Sequence, residues 1–213
     1  MYLPQKFNET RPALLHALVH AHPLGTVVTH GAGGLDANHI PFEIEAASPG
    51  APFGILRGHV ARANPLWRRE GDGAGDGQDV LAIFQGPSAY ITPALYDEKQ
   101  ASGKVVPTYH YAVVHAHGKL RAIDDPAWMR DLLTRLTARH EAPQARPWSM
   151  EDAPPDFIAR LMKAVVGIEI RIERMQGKWK TGQDDTMADQ RRMELQLGEP
   201  MASLMQERRA ARE

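Results

Sequence analysis

The segment GHVARANPLW, residues 58–67, carries three side chains that could receive an anionic ligand. His59, Arg62 and Asn64 follow an apolar stretch that is typical of a β-strand. A guanidinium can bind a phosphate group through two parallel hydrogen bonds, and a neighbouring amide can add another. The alternative is a polar turn that only solvates the end of the strand. The spacing of these residues leaves both interpretations open.

Other polar and aromatic side chains occur near predicted strand ends. They are Asn38, His39 and Pro41 in ANHIPF, Gln85 and Tyr90 in FQGPSAYITP, Thr108, Tyr109 and His110 in PTYHY, and Lys178, Lys180 and Gln183 in GKWKTGQDD. A flat redox-active heterocycle with a phosphate needs such a mixture: apolar and aromatic walls, amide partners for the ring edge, and cations for the phosphate. Tyr and Trp often belong to a core and Lys to the surface, so each segment alone is weak evidence. Together they predict a binding site for such a ligand.

Other site chemistries find less support in the sequence. His16 and His20 have the spacing of two ligands on one helix face, but HALVH lacks the glutamate of the HExxH motif and no third ligand is evident. No serine lies in a GxSxG motif, and GAGGLDAN precedes a strand pattern where a dinucleotide fingerprint needs a helix. We therefore predict no metal site and assign no catalytic residue.

The composition limits the partners of the chain. Its 25 Lys and Arg residues against 26 Asp and Glu residues give a net charge of −1, so a DNA contact would have to be local. The absence of cysteine fits a reducing compartment. MYLPQKFNET lacks the regions of a signal peptide, and no apolar run approaches the roughly 18 residues of a membrane span. We expect a soluble cytoplasmic protein without membrane contact.

The elements that must position these side chains follow from hydrophobic periodicity. Ile168, Ile170 and Ile172 alternate with charged residues, which predicts a half-buried strand. In all, the patterns predict strands at 24–30, 35–46, 52–60, 79–86, 88–93, 107–118, 119–123 and 166–175, helices at about 11–21, 126–141 and 154–164, and a glycine-rich loop at 69–78. Short turns between most strands favour an antiparallel barrel with peripheral helices. We divide the chain into a barrel domain at 1–183 and a helical tail at 184–213.

Several long phrases resemble one known family. MYLPQKFNE, GLDANHIPF, GHVARANPLW, FQGPSAYITPALY, VPTYHYAVVHAHG and VGIEIRIERMQGKWK, in this order, are similar to the PaiB family of FMN-binding negative transcriptional regulators. The resemblance extends to about residue 183. It implies a mainly β fold with peripheral helices, an FMN-binding split β-barrel related to the pyridoxamine-phosphate-oxidase-like flavoproteins. It also implies a homodimer with FMN at the subunit interface.

The resemblance assigns expected roles to the site residues. Arg62, with Asn64, is the first choice for the phosphate, and Lys178 and Lys180 for the phosphate or the flavin's pyrimidine edge. Asn38, His39 and Gln85 are expected to bond ring or ribityl oxygens, and Pro41, His59, Tyr90, Thr108, Tyr109, His110 and Gln183 complete the predicted cofactor-binding set.

Two segments depart from the family pattern. PTWNY becomes PTYHY at 107–111, and KWKxSQN becomes KWKTGQDD at 178–185. A lost hydroxyl and two added carboxylates are expected to weaken anion binding by about 1–2 kcal/mol if they face the ligand.

Three functions are consistent with these features. The first is an FMN-binding regulator or flavin and redox sensor. The second is a flavin-dependent oxidoreductase acting on a small molecule, with His39, His59 or His110 as proton donor. The third is a dimeric interaction protein whose flavin site has decayed. The sequence has no helix-turn-helix pattern, zinc finger or basic arm, so direct DNA binding is possible but not supported by the charge.

Overall fold

The computed structural model describes residues 1–68 and 77–210. The strands are β1 (Asn8–Glu9), β2 (Leu24–Gly31), β3 (Gly34–Pro41), β4 (Glu43–Glu45), β5 (Ile55–Ala61), β6 (Gln78–Ile91), β7 (Thr108–Ile123) and β8 (Val165–Lys180). The helices are α1 (Pro12–Ala21), α2 (Glu98–Ala101), α3 (Pro126–Glu141), α4 (Pro155–Lys163), α5 (Met187–Leu197) and α6 (Met201–Ala210). Residues 69–76 of the predicted glycine-rich loop lie outside the described residues.

The strands form an antiparallel sheet. Hydrogen-bonded neighbours follow the order β3-β2-β6-β7-β8-β5-β4, and β1 pairs with β8. β2 and β3 form a hairpin whose register runs from Leu24↔Pro41 to Gly31↔Gly34. The positive φ of Gly34 lies in the region that favours glycine at such a tight turn. The predicted mainly β fold with peripheral helices is confirmed.

Several strand boundaries differ from the sequence prediction. The predicted strand 35–46 is divided at Phe42 into β3, which pairs with β2, and β4, which pairs with β5. The predicted strands 79–86 and 88–93 are the single strand β6, which continues through Pro87, and 107–118 and 119–123 are the single strand β7. Gly118 does not end a strand: a Cβ atom there would lie 2.0 Å from the Arg171 carbonyl oxygen of β8. Gly118 therefore permits a close approach of two backbones, which a single sequence cannot distinguish from a turn.

The chain divides into two compact units. Unit 1 comprises residues 1–22, 84–115 and 176–213, and unit 2 comprises residues 23–83 and 116–175. In unit 2, α3 packs close to β8, because Gly167 leaves the space that the Trp128 ring requires: a Cβ atom there would lie 2.3 Å from Trp128 Cζ3. Asp125 begins α3 by accepting hydrogen bonds from the Ala127 and Trp128 N–H groups, next to Pro126 at the first helical position.

A buried carboxylate joins three strands of unit 2. Glu169 of β8 is 3% exposed and accepts hydrogen bonds from Arg57 Nε of β5 at 2.8 Å and Arg121 Nε of β7 at 2.9 Å. Arg57 also pairs with Glu45. Because both carboxylate oxygens of Glu169 are paired, its charge is compensated within the sheet.

The C-terminal helices contribute to the core of unit 1. Met193 of α5 and Met201 and Met205 of α6 form a buried cluster with Ile91 and Leu95. The predicted polar tail therefore has an apolar face that packs within unit 1, and the domain boundary at residue 183 stays a prediction.

Met193→Ala is expected to lower the free energy of unfolding by about 2–4 kcal/mol, because truncating a fully buried Met removes apolar contacts and leaves a cavity. Leu195→Ala on the same helix is the matched control, since Leu195 is 88% exposed. Denaturant unfolding of both variants measures the difference. Equal stabilities would show that the Met193 cluster does not contribute to the stability of unit 1.

Candidate functional site

Two predicted amide residues of unit 2 are in direct contact. Asn64 Nδ2 donates to Asn38 Oδ1 at 2.7 Å, and Asn64 Oδ1 accepts from the Leu66 N–H at 2.8 Å. Asn64 thereby begins the 3-10 turn Pro65–Trp67 while its amide nitrogen holds Asn38. The structure brings these two predicted residues together through an amide–amide hydrogen bond.

Arg62 is engaged within unit 2. Its Nη1 and Nη2 donate to the two Asp124 carboxylate oxygens at 3.0 and 2.7 Å. Its Nε donates to the Lys163 carbonyl at 2.9 Å and Nη2 donates to the Val165 carbonyl at 3.2 Å. The hydrogen bond from Arg62 holds the pKa of Asp124 below its usual value. A phosphate that uses the planar fork of Arg62 would have to displace Asp124, so this role stays a prediction.

The three remaining predicted residues of unit 2 have separate surroundings. His39 Nδ1 lies 3.0 Å from Thr26 Oγ1 across the β2–β3 pair. Pro41 and His59 line a cavity of about 370 Å³ together with Trp148. His59 Nδ1 is buried without a hydrogen-bond partner, and burial lowers the pKa of His59. The imidazole is therefore neutral at pH 7.

In unit 1, two predicted tyrosines form an exposed aromatic pair. The ring centroids of Tyr90 and Tyr109 lie 5.7 Å apart in an edge-on arrangement, and the two residues are 53% and 58% exposed. Gln85 is exposed on the same strand as Tyr90. Large aromatic side chains in contact at a surface are typical of ligand or partner binding.

Two lysines near the end of β8 approach β7. Lys180 Nζ donates to the Thr108 hydroxyl, and Lys178 Nζ lies 5.4 Å from the centroid of the Tyr111 ring. Trp179 between them is buried, as the alternation of a strand requires. Two ammonium groups therefore lie on one side of β8 near a hydroxyl, a donor set suited to an anion.

The two departures from the family pattern meet in unit 1. His110 is 2% exposed, and its Nε2 lies 3.7 Å from Asp185 Oδ2. Gly182 has φ +79°, and a Cβ atom there would lie 2.6 Å from Asp185 Oδ2 and 2.9 Å from His110 Cε1. The absence of a side chain at Gly182 makes room for the imidazole and the carboxylate. Asp185 was not in the predicted site, although the pairing of two departures could have indicated it.

The charges around this pair shift several pKa values. Burial, and next the Lys180 ammonium, lower the pKa of His110 to about 4. Burial, with the Asp189 and Asp184 carboxylates, raises the pKa of Asp185. Burial and the Asp185 and Asp189 carboxylates raise the pKa of Tyr96 to about 12. Tyr96 is a second residue that sequence analysis missed.

The turn after β8 is fixed by its own side chains. Gln183 Oε1 accepts from the Thr181 N–H at 2.9 Å, and Gln183 Nε2 donates to the Trp179 carbonyl. Asp184 pairs with Lys6, so the charge of one added carboxylate is offset. The predicted residue Gln183 thus shapes the turn that carries Gly182 and Asp185.

Comparison with known proteins identifies the family. The model of the family described as "Putative FMN-binding domain" matches residues 1–174. The chain belongs to this family. The predicted resemblance to PaiB is confirmed by the Bacillus subtilis protein "Protease synthase and sporulation protein PAI 2", which is 29% identical over 189 residues and is matched over 89% of this chain and 85% of its own length. A fungal relative, "Uncharacterized protein AN0679" of Emericella nidulans, is 34% identical over 218 residues, covering 89% of this chain and 87% of the relative.

Solved structures of flavin proteins share the fold. The FAD and heme binding protein of Mycobacterium smegmatis has a TM-score of 0.56 at 17% identity, covering 85% of this chain and 78% of that chain. The flavocytochrome Anf3 of Azotobacter vinelandii has a TM-score of 0.57 at 16% identity, covering 85% of this chain and 73% of that chain. The predicted fold class, an FMN-binding split β-barrel with peripheral helices, and the predicted FMN-binding family are confirmed.

The residues of unit 1 fit a flavin phosphate ester. Lys178, Lys180 and the Thr108 hydroxyl would hold a phosphate by charge and hydrogen bonds, and the exposed tyrosine pair would offer a surface to a ring. Asp185 Oδ2 and Thr181 Oγ1 are buried without hydrogen-bond partners, so the polar cluster is not closed on itself. Within the described residues, no group of three or more His, Cys, Asp or Glu side chains could hold a metal ion.

None of the described helices is long and apolar enough to cross a membrane.

Proposed function

We propose that this protein binds FMN as a PaiB-like homodimer and acts as a flavin-dependent regulator or sensor. The observation that carries the proposal is the exposed Tyr90–Tyr109 pair on β6 and β7, together with the hydrogen bond from Lys180 to Thr108, the residue before Tyr109 in the chain. Aromatic surface and a cationic donor occur there together, as a phosphorylated heterocycle requires.

Within this proposal, Lys180 and Thr108 receive the phosphate, with Lys178 as the second cation. Lys180 is the better candidate than Arg62, because Arg62 already uses four of its five guanidinium N–H groups within unit 2. Bound FMN supplies one- and two-electron redox chemistry. The polypeptide holds the phosphate and shields the flavin ring.

The exposed tyrosines also support the predicted dimer. Tyr90 and Tyr109 present apolar surface at the site, and Val106, three residues before Tyr109 in the chain, is 74% exposed. Such surface is costly in water, and a second subunit placed over the site would remove it from solvent. FMN at the interface would then touch both subunits.

FMN uptake and assembly test this proposal together. The purified protein is expected to bind FMN, seen by flavin absorbance and a raised Tm, and to sediment as a dimer. Tyr109→Ser is expected to weaken both dimer formation and FMN binding by about tenfold, a loss of about 1.4 kcal/mol. Leu195→Ser is a control at another exposed apolar residue of unit 1. Absence of FMN uptake would overturn the proposed function. FMN bound to a monomer would contradict only the proposed position of FMN at a dimer interface.

The regulatory effect is proposed to be indirect, through metabolism or a protein partner. A net charge of −1 gives the chain no general attraction for DNA. Fluorescence anisotropy with duplex DNA at increasing salt tests this. Binding that is tight at low salt and weakens as salt rises would show direct contact instead.

A flavin-dependent oxidoreductase is the second candidate. The observation that favours it is His110, a neutral buried imidazole within the polar cluster that includes Lys180. Reduction of the bound flavin by NADH or NADPH and its reoxidation by a small-molecule acceptor would support this function. No reduction by either nucleotide would count against it.

A further inference from the structure

His110, which is buried, and Asp185, which is partly buried, form a titratable pair that the proposed binding of FMN does not itself use. The 3.7 Å between His110 Nε2 and Asp185 Oδ2 is longer than a hydrogen bond. His110 Nδ1 and Asp185 Oδ2 are both buried without a hydrogen-bond partner. The pair is therefore incompletely satisfied in the state that the structure shows, and a proton on Nε2 could be donated to Asp185 if the gap closed by less than about 1 Å.

The turn permits both side chains of the pair to lie close to its backbone. Gly182 has no Cβ, and a methyl group at that position would overlap both Asp185 Oδ2 and the edge of the His110 ring. The turn is otherwise held in place by the Gln183 side chain and by Gln190 Nε2, which donates to the carbonyls of Gly182 and Asp185 at 2.9 Å each. Hydrogen bonds therefore hold the backbone of the turn, while Asp185 Oδ2 has no hydrogen-bond partner.

Charged groups from three elements act on the pair. From β8, Lys180 opposes a second positive charge on His110 and favours the Asp185 carboxylate. From the turn and α5, the Asp184 and Asp189 carboxylates act in the opposite direction on Asp185, and Asp184 is offset by Lys6. The Tyr96 hydroxyl, which faces Asp185 and Asp189, stays protonated at neutral pH. Burial is the larger cause of the lowered pKa of His110, and the Lys180 ammonium adds to it.

An anion at Lys180 would change this balance. A phosphate group carries between one and two negative charges near pH 7 and would offset the ammonium charge felt by His110. Removal of that repulsion favours the imidazolium, which would then form a charge-assisted hydrogen bond to Asp185. We propose that phosphate binding at Lys180 and Thr108 is coupled to protonation of the His110–Asp185 pair, so that the protein takes up a proton when it binds FMN. The inference rests on the proposed function.

The sign of the effect follows from linkage. If the bound state holds more protons than the free state, the affinity for FMN rises as the pH falls. The phosphate of free FMN itself gains a proton at a pKa of about 6, which works in the opposite direction. The contribution of His110 is therefore the difference between the protein and a variant that lacks the imidazole.

Isothermal titration of FMN into the full-length protein measures the protons taken up. Titrations at pH 5.5 and pH 8, each in two buffers of different ionisation enthalpy, are compared for the unchanged protein and His110→Asn. The unchanged protein is expected to take up about half a proton more than His110→Asn at pH 5.5 and none more at pH 8. Its ratio of Kd at pH 8 to Kd at pH 5.5 is expected to be about twofold larger, as an uptake of about half a proton at pH 5.5 requires. His20→Asn, at an exposed histidine of α1, is the matched control and should behave as the unchanged protein.

Two further measurements keep the test decisive. Riboflavin lacks the phosphate, so its binding should cause no proton uptake through His110. If His110→Asn does not fold, NMR titration of the His110 imidazole with and without inorganic phosphate replaces it, and phosphate should move the titration to higher pH. Equal proton uptake by the unchanged protein and His110→Asn, or an unmoved imidazole titration, would overturn the coupling while FMN binding stands. Absence of FMN binding at both pH values would instead overturn the proposed function.

Discussion

Lys180→Gln is expected to weaken FMN binding by about 10- to 100-fold, because it removes one charge-assisted hydrogen bond to a phosphate. Riboflavin binding should change by less than about threefold, since the flavin ring does not need the ammonium. The same substitution also removes the charge that opposes protonation of His110. Fluorescence quenching of the flavin during titration with protein gives both affinities.

Two other variants make this result specific. Lys99→Gln removes an exposed lysine of α2 in the same unit and should leave both affinities unchanged. Arg62→Ala tests the competing phosphate residue, which the structure pairs with Asp124. A large loss of FMN affinity in Arg62→Ala, with none in Lys180→Gln, would place the phosphate at the end of β5 and contradict the assignment to Lys180.

The largest expected change in stability is for Glu169→Ala. The substitution leaves Arg57 without its buried partner and opens a cavity between β5, β7 and β8. Removing one member of a buried ion pair costs about 3–5 kcal/mol. The lower end applies here, because Arg57 keeps Glu45 and Arg121 is largely exposed to water.

Glu173→Ala is the matched control for this change. Glu173 lies on the same strand and forms only a half-exposed pair with Arg171. A surface ion pair contributes about 0–1 kcal/mol. Urea unfolding of both variants at pH 7 gives the comparison, and a loss below about 1 kcal/mol for Glu169→Ala would show that the cluster is not a stabilising element.

Local chemistry decided how well the sequence predicted each element. The bounds of α3 agree with the prediction because Asp125 and Pro126 specify its first turn. β8 was predicted from its alternating isoleucines but extends to Lys180, since β1 pairs with it at Asn8↔Lys178. Pairing with a distant strand leaves no periodic pattern in the segment itself, so the extension could not be predicted.

The candidate site shows the same limit. The sequence located the segments, and the resemblance grouped them, but neither gave the partner of each side chain. Asp124 lies 62 residues beyond Arg62 and Asp185 lies 75 residues beyond His110, yet these carboxylates decide whether the cations and imidazole are available. Which charged side chains pair depends on the tertiary fold, so these pairs cannot be predicted from a single sequence. The predicted FMN contacts of both units stay predictions.

The discontinuity of unit 1 imposes an order on its assembly during synthesis. Its three stretches of chain include residues 176–213, which follow every residue of unit 2. Arg208 of α6 pairs with Glu9 of β1, and Met193 and Met205 complete a core begun by Ile91. The ribosome must therefore deliver α5 and α6 before unit 1 can close. Until then, Ile91 of β6 lacks the methionine side chains that cover it in the folded unit.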